Sequence, residues 1–197
     1  MTSTHHERAS DRTAEAMLKI ESESDRKIDI AVMVQGDEPM DTPSMISDAL
    51  NPMFENEAID VINLMGEIRS QDEFEDTNIV KVVVDPDSNA IYFSREPIPS
   101  RSKSTFVPKM LKQICVIPFR RDYLLEFNST PETFLEKVES VDMLRVIENG
   151  KKVRMVMTKE ESYSVDTKDD LERVDVLMND DDLIKQYADL ALNRIHI

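Results

Sequence analysis

Two short acidic motifs, far apart in the chain, carry carboxylates that could bind a metal ion. Val34–Pro39 (VQGDEP) places Asp37 just after an apolar, β-branched run, and Ser164–Thr167 (SVDT) places Asp166 before an acidic helix start. Carboxylates at strand ends lie where open α/β sheets bind ligands. Two hard oxygen ligands of this kind are able to hold Mg²⁺ against nucleotide phosphates. Each Asp could equally be a turn or helix-cap residue, so the pair alone does not decide its role.

The bulk composition excludes several classes of protein. The chain has 197 residues, 40% of them hydrophobic, which is enough for one domain with a core. Its net charge of −16 would repel DNA and RNA. It contains no apolar run long enough to cross a membrane, and its amino terminus lacks the apolar core of a signal peptide. The single cysteine fits a reducing compartment, so we expect a cytoplasmic protein that binds neither nucleic acid nor membrane.

The elements that must position the two motifs alternate between strands and helices. Strands are predicted at residues 28–35, 59–68, 79–84, 90–94, 114–119 and 153–157. Helices are predicted at residues 7–20, 41–54, 121–128, 132–138, 141–148, 168–179 and 181–195. Residues 85–89 form a turn that makes a hairpin, and the proline-containing residues 96–108 form a loop. The alternation predicts an α/β fold with a mostly parallel sheet and one antiparallel hairpin excursion at residues 79–94.

Several segments match one known family closely. They are residues 6–15 with Ser10-Asp11-Arg12 at their centre, the VQGDEP motif, Val80–Val83, Ala90–Pro99, Leu135–Val146 in part, and Val165–Thr167 with Asp170–Val174. On these motifs the chain resembles the cytidylyltransferases that make CMP-activated acidic sugars. It is most similar to the 3-deoxy-manno-octulosonate (Kdo) cytidylyltransferases, and the similarity extends over nearly the whole chain.

The resemblance implies a Rossmann-like nucleotidyltransferase fold and an activity. CMP would be transferred from CTP to a 2-keto sugar acid, with release of pyrophosphate and a requirement for Mg²⁺. By resemblance, Asp37 and Asp166 are the catalytic residues that hold the metal. The nucleotide would be lined by Ser10, Arg12, Gln35 and Gly36, and the acidic sugar by Arg95, Gln113, Glu139 and Asp142. The family also implies a homodimer, with the hairpin and loop of residues 79–118 as its interface.

The beginning of the chain departs from the family pattern. The family opens with a strand and a glycine-containing basic loop that wraps the triphosphate, and residues 1–35 have no counterpart of that loop. We therefore expect residues 1–197 to form a single domain that is partial at its amino terminus. Either the chain is a fragment or a late-called start of a longer gene, or it is a remnant that cannot catalyse alone. The intact metal motifs favour the first explanation, and the second leaves a non-catalytic binding or dimerisation module.

The predicted sugar pocket departs from the family as well. Where the family carries a His, a Tyr and a Glu-Gln pair, this chain has Gln113, Ile117, Asp142 and Met143. Ile and Met cannot make the polar contacts that a polyhydroxylated sugar needs. We therefore expect an acidic acceptor other than Kdo, such as a different keto-sugar acid, a sialic-like acid or a phosphonate acid. Glu136, in the same helical region, is expected to be a solvated carboxylate.

Overall fold

The computed structural model describes residues 1–103, 105–106 and 108–187, and these divide into two compact units. The larger unit comprises Met1–Gln35 and Asp41–Glu161. The smaller unit comprises Gly36–Met40 and the described residues from Ser162 onwards. The organisation of residues 1–197 as a single domain stays a prediction.

The larger unit carries the sheets and most of the helices. Its strands are β1 Ile30–Val34, β2 Ile62–Glu67, β3 Lys81–Val84, β4 Ala90–Ser94, β5 Leu111–Ile114, β6 Val116–Arg120 and β7 Arg154–Met157. Its helices are α1 Ala9–Ser24, α2 Pro43–Glu55, α3 Gln71–Glu75, α4 Arg121–Ser129, α5 Phe134–Glu139 and α6 Met143–Glu148. The smaller unit contains α7, Lys168–Asn179. Among the described residues, no helix is long and apolar enough to span a bilayer.

The strands form a five-stranded sheet in the order β4-β3-β5-β2-β7 and a two-stranded sheet of β1 and β6. The α/β class is confirmed, and β2 and β7 form the parallel pair. The other pairs, β1–β6, β2–β5, β3–β4 and β3–β5, are antiparallel. The expectation of mostly parallel neighbours therefore needs correction. Only Cys115 separates β5 from β6, so one nearly continuous strand runs antiparallel to both β2 and β1 and replaces the direct parallel contacts expected from simple βαβ units.

The two edges of the five-stranded sheet meet beside the hairpin turn. The amide of Met155 donates to Ser88 O at 2.7 Å, and the amide of Ala90 donates to Val153 O at 2.9 Å. Asn89 and Arg154 form an isolated antiparallel bridge between the same segments. These bonds satisfy backbone groups that an open sheet edge would expose.

Helix α2 illustrates how the sequence forms an element and buries it. Thr42 Oγ1 accepts from the amide of Met45, and Pro43 occupies the first turn, where its missing N–H is not needed. Met45, Ala49 and Met53 recur every four residues and are at most 1% exposed. This stripe packs in a cluster with residues of the sheet, including Ile62, Leu64 and Ile114. A second cluster of buried side chains involves α1, α4 and α6.

Most predicted element positions agree with the structure to within a few residues. Strand β4 and helix α7 have the predicted bounds. Strand β5 begins three residues earlier than the predicted strand at 114–119, which the structure divides at Cys115. Of the helix predicted at residues 181–195, residues 182–187 are helical, and the remainder lies outside the described residues.

Candidate functional site

The smaller unit brings the two acidic motifs together. The amide of Val165 donates to the backbone oxygen of Asp37 at 2.8 Å, so the turn that contains Asp37 lies against the residue that precedes Asp166. Both aspartates are exposed. The Ser164 hydroxyl donates to Asp166 Oδ2 at 2.9 Å and orients that carboxylate. Two carboxylates that are remote in sequence are therefore presented from adjoining backbone segments.

A buried side-chain hydrogen bond joins the same two segments. The Ser162 hydroxyl donates to Glu38 Oε2 at 2.8 Å. Glu38 is 8% exposed and Ser162 is 3% exposed. The sequence prediction did not include either residue. Glu38 stands inside the VQGDEP motif and so could have been noticed, whereas nothing in the sequence distinguishes Ser162 from the other serines.

Helix α7 begins at Lys168, and its N-cap, Thr167, directly follows Asp166. The amide of Asp170 donates to Thr167 Oγ1 at 3.2 Å, and the amide of Thr167 donates to Asp170 Oδ2 at 3.0 Å. This capping box satisfies amides that the first helical turn leaves without partners. The hydrogen bond from the Thr167 hydroxyl, helped by its amide, lowers the pKa of Asp170 against the opposing effect of burial. The cap determines where the helix starts and therefore holds the residue before it.

The donor set of Asp37 and Asp166 fits Mg²⁺. Both groups are carboxylates, the hard oxygen ligands that Mg²⁺ prefers. Within the described part of the chain, no three His, Cys, Asp or Glu side chains are grouped so that they could hold a metal by themselves. Mg²⁺ in nucleotide sites is held by one or two carboxylates together with substrate phosphates and waters. A pair of exposed carboxylates therefore suits a metal that arrives with a nucleotide better than a permanently bound structural ion.

The residues predicted to line the nucleotide have different environments. Ser10 is 1% exposed, and its Oγ has no hydrogen-bond partner among the described residues. Arg12 is exposed, and its two terminal nitrogens donate to Ser3 O at 3.1 Å and His6 O at 3.0 Å. Gln35 belongs to the larger unit and is partly exposed, whereas Gly36 belongs to the smaller unit and is exposed. A Cβ built on Gly36 would meet no atom within 4 Å, so packing inside the chain does not require glycine there.

Two hydrogen bonds, both donated by Arg95, join the end of β4 to Glu139 at the end of α5. Arg95 Nε donates to Glu139 O at 2.7 Å, and the Arg95 amide donates to Glu139 Oε2 at 2.8 Å. The remaining guanidinium nitrogens of Arg95 donate to the backbone oxygens of Thr77, Asn78 and Ser140. These bonds use four of the five N–H donors of a guanidinium. The contacts favour an anchoring role for Arg95 over the predicted open fork for a substrate carboxylate.

The carboxylate of Glu139 is engaged from several sides. Its Oε1 accepts from the Tyr92 hydroxyl at 3.1 Å and from the Ser94 hydroxyl at 3.0 Å. Burial, followed by the hydrogen bond to Glu139, raises the pKa of Tyr92. Gln113, another predicted sugar contact, donates from Nε2 to Asn63 Oδ1. The predicted sugar-binding side chains of Glu139 and Gln113 are therefore held by other side chains of the larger unit.

Asp142 differs from the other predicted sugar-binding residues. It occupies the position before α6 without a side-chain cap bond, and it is partly exposed. Burial raises the pKa of Asp142, and the charge of Arg8 opposes that shift. The Glu139 carboxylate already accepts three hydrogen bonds, and a carboxyl group with a raised pKa, as in Asp142, is the better candidate for ligand contact.

Glu136 corrects the expectation of a solvated carboxylate. Its side chain is 0% exposed and forms an ion pair with Arg145, whose Nε donates to Glu136 Oε2 at 2.8 Å. Arg145 also donates to Phe127 O at 3.0 Å and Thr130 O at 3.1 Å. Burial opposes the charged form of Glu136, but the hydrogen bonds from Arg145 and Thr133 lower its pKa overall. The spacing of charges in the helix did not predict burial because the partner comes from the next helix.

The comparisons with known proteins agree on one family. A model of the cytidylyltransferase family matches residues 1–153. The 3-deoxy-manno-octulosonate cytidylyltransferase of Geobacter sulfurreducens is 41% identical over 184 residues, which are 88% of this chain and 71% of that protein. The enzyme of the same name from Flavobacterium johnsoniae is 38% identical over 183 residues, 91% of this chain and 72% of that protein.

A solved structure is similar to this chain over the same extent. It is CMP:2-keto-3-deoxy-manno-octonic acid synthetase in complex with CTP. Its TM-score is 0.80 at 34% sequence identity, and the match covers 91% of this chain and 71% of that structure. Sequence motifs, fold and relatives agree, and the chain belongs to the cytidylyltransferase family.

Proposed function

We propose that this protein transfers the cytidylyl group of CTP to a 2-keto sugar acid in an Mg²⁺-dependent reaction that releases pyrophosphate. The observation that carries the proposal is the junction of the two acidic motifs in the smaller unit. The 2.8 Å bond from the Val165 amide to Asp37 O sets the Asp37 turn beside the segment that carries Asp166. Family membership and the CTP complex of a similar enzyme support the choice of nucleotide.

Asp37 and Asp166 would hold the metal. When bound, Mg²⁺ would neutralise phosphate charge and help to align the attacking hydroxyl with the departing pyrophosphate. The contribution of the protein is placement before substrate arrives: the backbone bond positions Asp37, and the Ser164 hydroxyl orients Asp166. Ligands that are already placed need little reorganisation during the reaction.

The acceptor class is proposed from the relatives and from Asp142. Relatives 36% to 41% identical to this chain are named for Kdo, so Kdo is the first acceptor to test. The replacements at Ile117 and Met143 are the reason to test a sialic acid and a phosphonate acid beside it. Asp142 would accept a hydrogen bond from an acceptor hydroxyl or amine.

We also propose that the working assembly is a homodimer formed through residues 79–118. The support is the family resemblance together with strand β4, which ends the order of the five-stranded sheet. The amide of Ala90 at its start is bonded to Val153 O, but within the described residues β3 is the only strand that pairs with Ile91–Ser94. An edge strand offers backbone groups to a second chain. Sedimentation of the purified chain tests this proposal separately from catalysis.

The catalytic proposal is tested by calorimetry and by pyrophosphate release. CTP binding is measured with and without Mg²⁺, and release is then measured with each acceptor. We expect Asp37→Asn to abolish Mg²⁺-dependent turnover while the protein stays folded. The matched control is Asp175→Asn, which makes the same change at an exposed position of α7. Full activity in Asp37→Asn would contradict the metal assignment.

A further inference from the structure

The buried bond between Glu38 and Ser162 joins the two segments that carry the proposed metal ligands. Glu38 follows Asp37 in the chain, and Ser162 precedes the Ser164–Asp166 segment. The bond spans 124 residues of sequence and measures 2.8 Å between Ser162 Oγ and Glu38 Oε2. Both side chains belong to the smaller unit, as do the proposed ligands.

We propose that Glu38 and Ser162 are positioning residues that align Asp37 and Asp166 for the metal without touching it. This inference rests on the proposed function of the two aspartates. Neither residue was singled out by the sequence motifs as a ligand, and the structure assigns them a role through their mutual contact.

Asp37 and Glu38 are neighbours in the chain but differ in exposure. Asp37 is exposed, whereas the next residue, Glu38, is 8% exposed. The backbone at this turn therefore places the Asp37 side chain in solvent and the Glu38 side chain in the interior. Holding Glu38 in the interior therefore directs Asp37 outward, and the Ser162 hydroxyl is one group that holds it.

The Glu38–Ser162 bond also adds to the backbone bond between the two segments. At least two links connect the segments, among them the backbone bond from Val165 to Asp37 and the side-chain bond from Ser162 to Glu38. A single link leaves the segments free to pivot about it, whereas two links restrict that rotation. Residues that orient ligands in this way affect metal affinity by about 10-fold to 100-fold when they are changed.

An alternative explanation is that Glu38 acts on the metal through its negative charge. Substitutions can distinguish that role from a positioning role. If Glu38 acted as a ligand or through its negative charge, Glu38→Gln would weaken metal binding as much as Glu38→Ala. If Glu38 acts by accepting the Ser162 hydrogen bond, Glu38→Gln keeps an acceptor oxygen and retains most of the affinity. Ser162→Ala removes the bond and leaves every carboxylate in place.

The experiment measures Mn²⁺ binding to the purified full chain in the presence of CTP and without an acceptor. Mn²⁺ is the probe because it accepts hard oxygen ligands and its binding is read by water-proton relaxation. A titration of CTP without protein supplies the baseline. Urea unfolding of each variant is measured in parallel. The matched control is Ser94→Ala, since Ser94 is also 3% exposed and donates to a carboxylate, Glu139, at 3.0 Å.

We expect Ser162→Ala to weaken Mn²⁺ binding by at least about 10-fold. Glu38→Gln and Ser94→Ala should remain within about 3-fold of the wild type, even if Ser94→Ala is equally destabilised in urea. Unchanged Mn²⁺ binding in Ser162→Ala, with binding lost in Asp37→Asn, would overturn the positioning role and leave the metal assignment intact. Unchanged binding in Asp37→Asn would overturn the metal assignment and this inference together. If Ser162→Ala fails to fold, Ser162→Thr against Ser162→Val makes the same comparison.

Discussion

Removing Arg145 should destabilise the protein more than any surface change, because it leaves the buried Glu136 carboxylate without its cation. The side chains of Arg145 and Glu136 are 7% and 0% exposed, and they are joined by two hydrogen bonds. Arg145 also lies 4.3 Å from the centre of the Phe127 ring. Arg145→Met removes the cation and leaves Glu136 unpaired in the interior. Breaking one side of a buried pair costs about 3–5 kcal/mol.

This loss is large on the scale of a typical domain, whose net stability is about 5–15 kcal/mol. With a urea m-value of about 2 kcal/mol per molar, the unfolding midpoint should fall by about 2 M. The assay is urea unfolding followed by circular dichroism. Arg69→Met is the matched control: the Arg69–Glu161 pair is exposed, and such pairs contribute about 0–1 kcal/mol.

A double variant tests the reasoning more strictly than the single one. Glu136→Leu combined with Arg145→Met removes both charges, so it should be more stable than Arg145→Met alone. Recovery should be incomplete, because the oxygens of Phe127 and Thr130 lose their donor. The unpaired Glu136 charge is not the cause of the instability if the double variant is as unstable as Arg145→Met. The same conclusion follows if Arg145→Met lowers the free energy of unfolding no more than Arg69→Met does.

Two further predictions concern the pair between α1 and α4 and the cap of α7. Hydrogen bonds from Arg121 and Ile28 hold the pKa of Glu21 at about 2, below its usual 4.5. Because the folded-state pKa is lowered, the pair stabilises the fold above pH 4.5 and loses that contribution as pH falls towards 2. In urea unfolding across this window, Glu21→Gln should therefore show a weaker dependence of stability on pH than the wild type. Thr167→Ala removes the cap of α7 and should cost about 1 kcal/mol in urea unfolding, whereas Thr167→Ser should cost much less.

Each of these predictions has an outcome that contradicts it. An unaltered pH profile in Glu21→Gln would mean that the contact with Arg121 does not couple proton binding to folding. Equal stability of Thr167→Ala and Thr167→Ser would mean that the hydroxyl bond to the Asp170 amide does not stabilise the helix.

The sequence predicted elements well where the signals are local. The bounds of β4 agree because a turn at residues 85–89 precedes a short β-branched and aromatic run. The start of α7 agrees because Thr167 and Asp170 form a capping box that is readable three residues apart. The antiparallel insertion of β5 and β6 could not be read in this way, since strand pairing joins residues that no local pattern relates.

The same difference between local and long-range signals applies to the candidate site. The motifs drew attention to Asp37 and Asp166, the family resemblance implied their metal role, and that role stays a prediction. The partners of the Arg95 guanidinium could not be identified, because they are backbone oxygens of residues remote in sequence, such as Glu139 and Thr77. Sequence determined the family and the alternation of elements, and it predicted the two carboxylates of the proposed metal site. Tertiary structure alone decided which polar groups are buried, as with Glu38, Glu136 and Ser162, because burial depends on side chains that meet only when remote segments pack together.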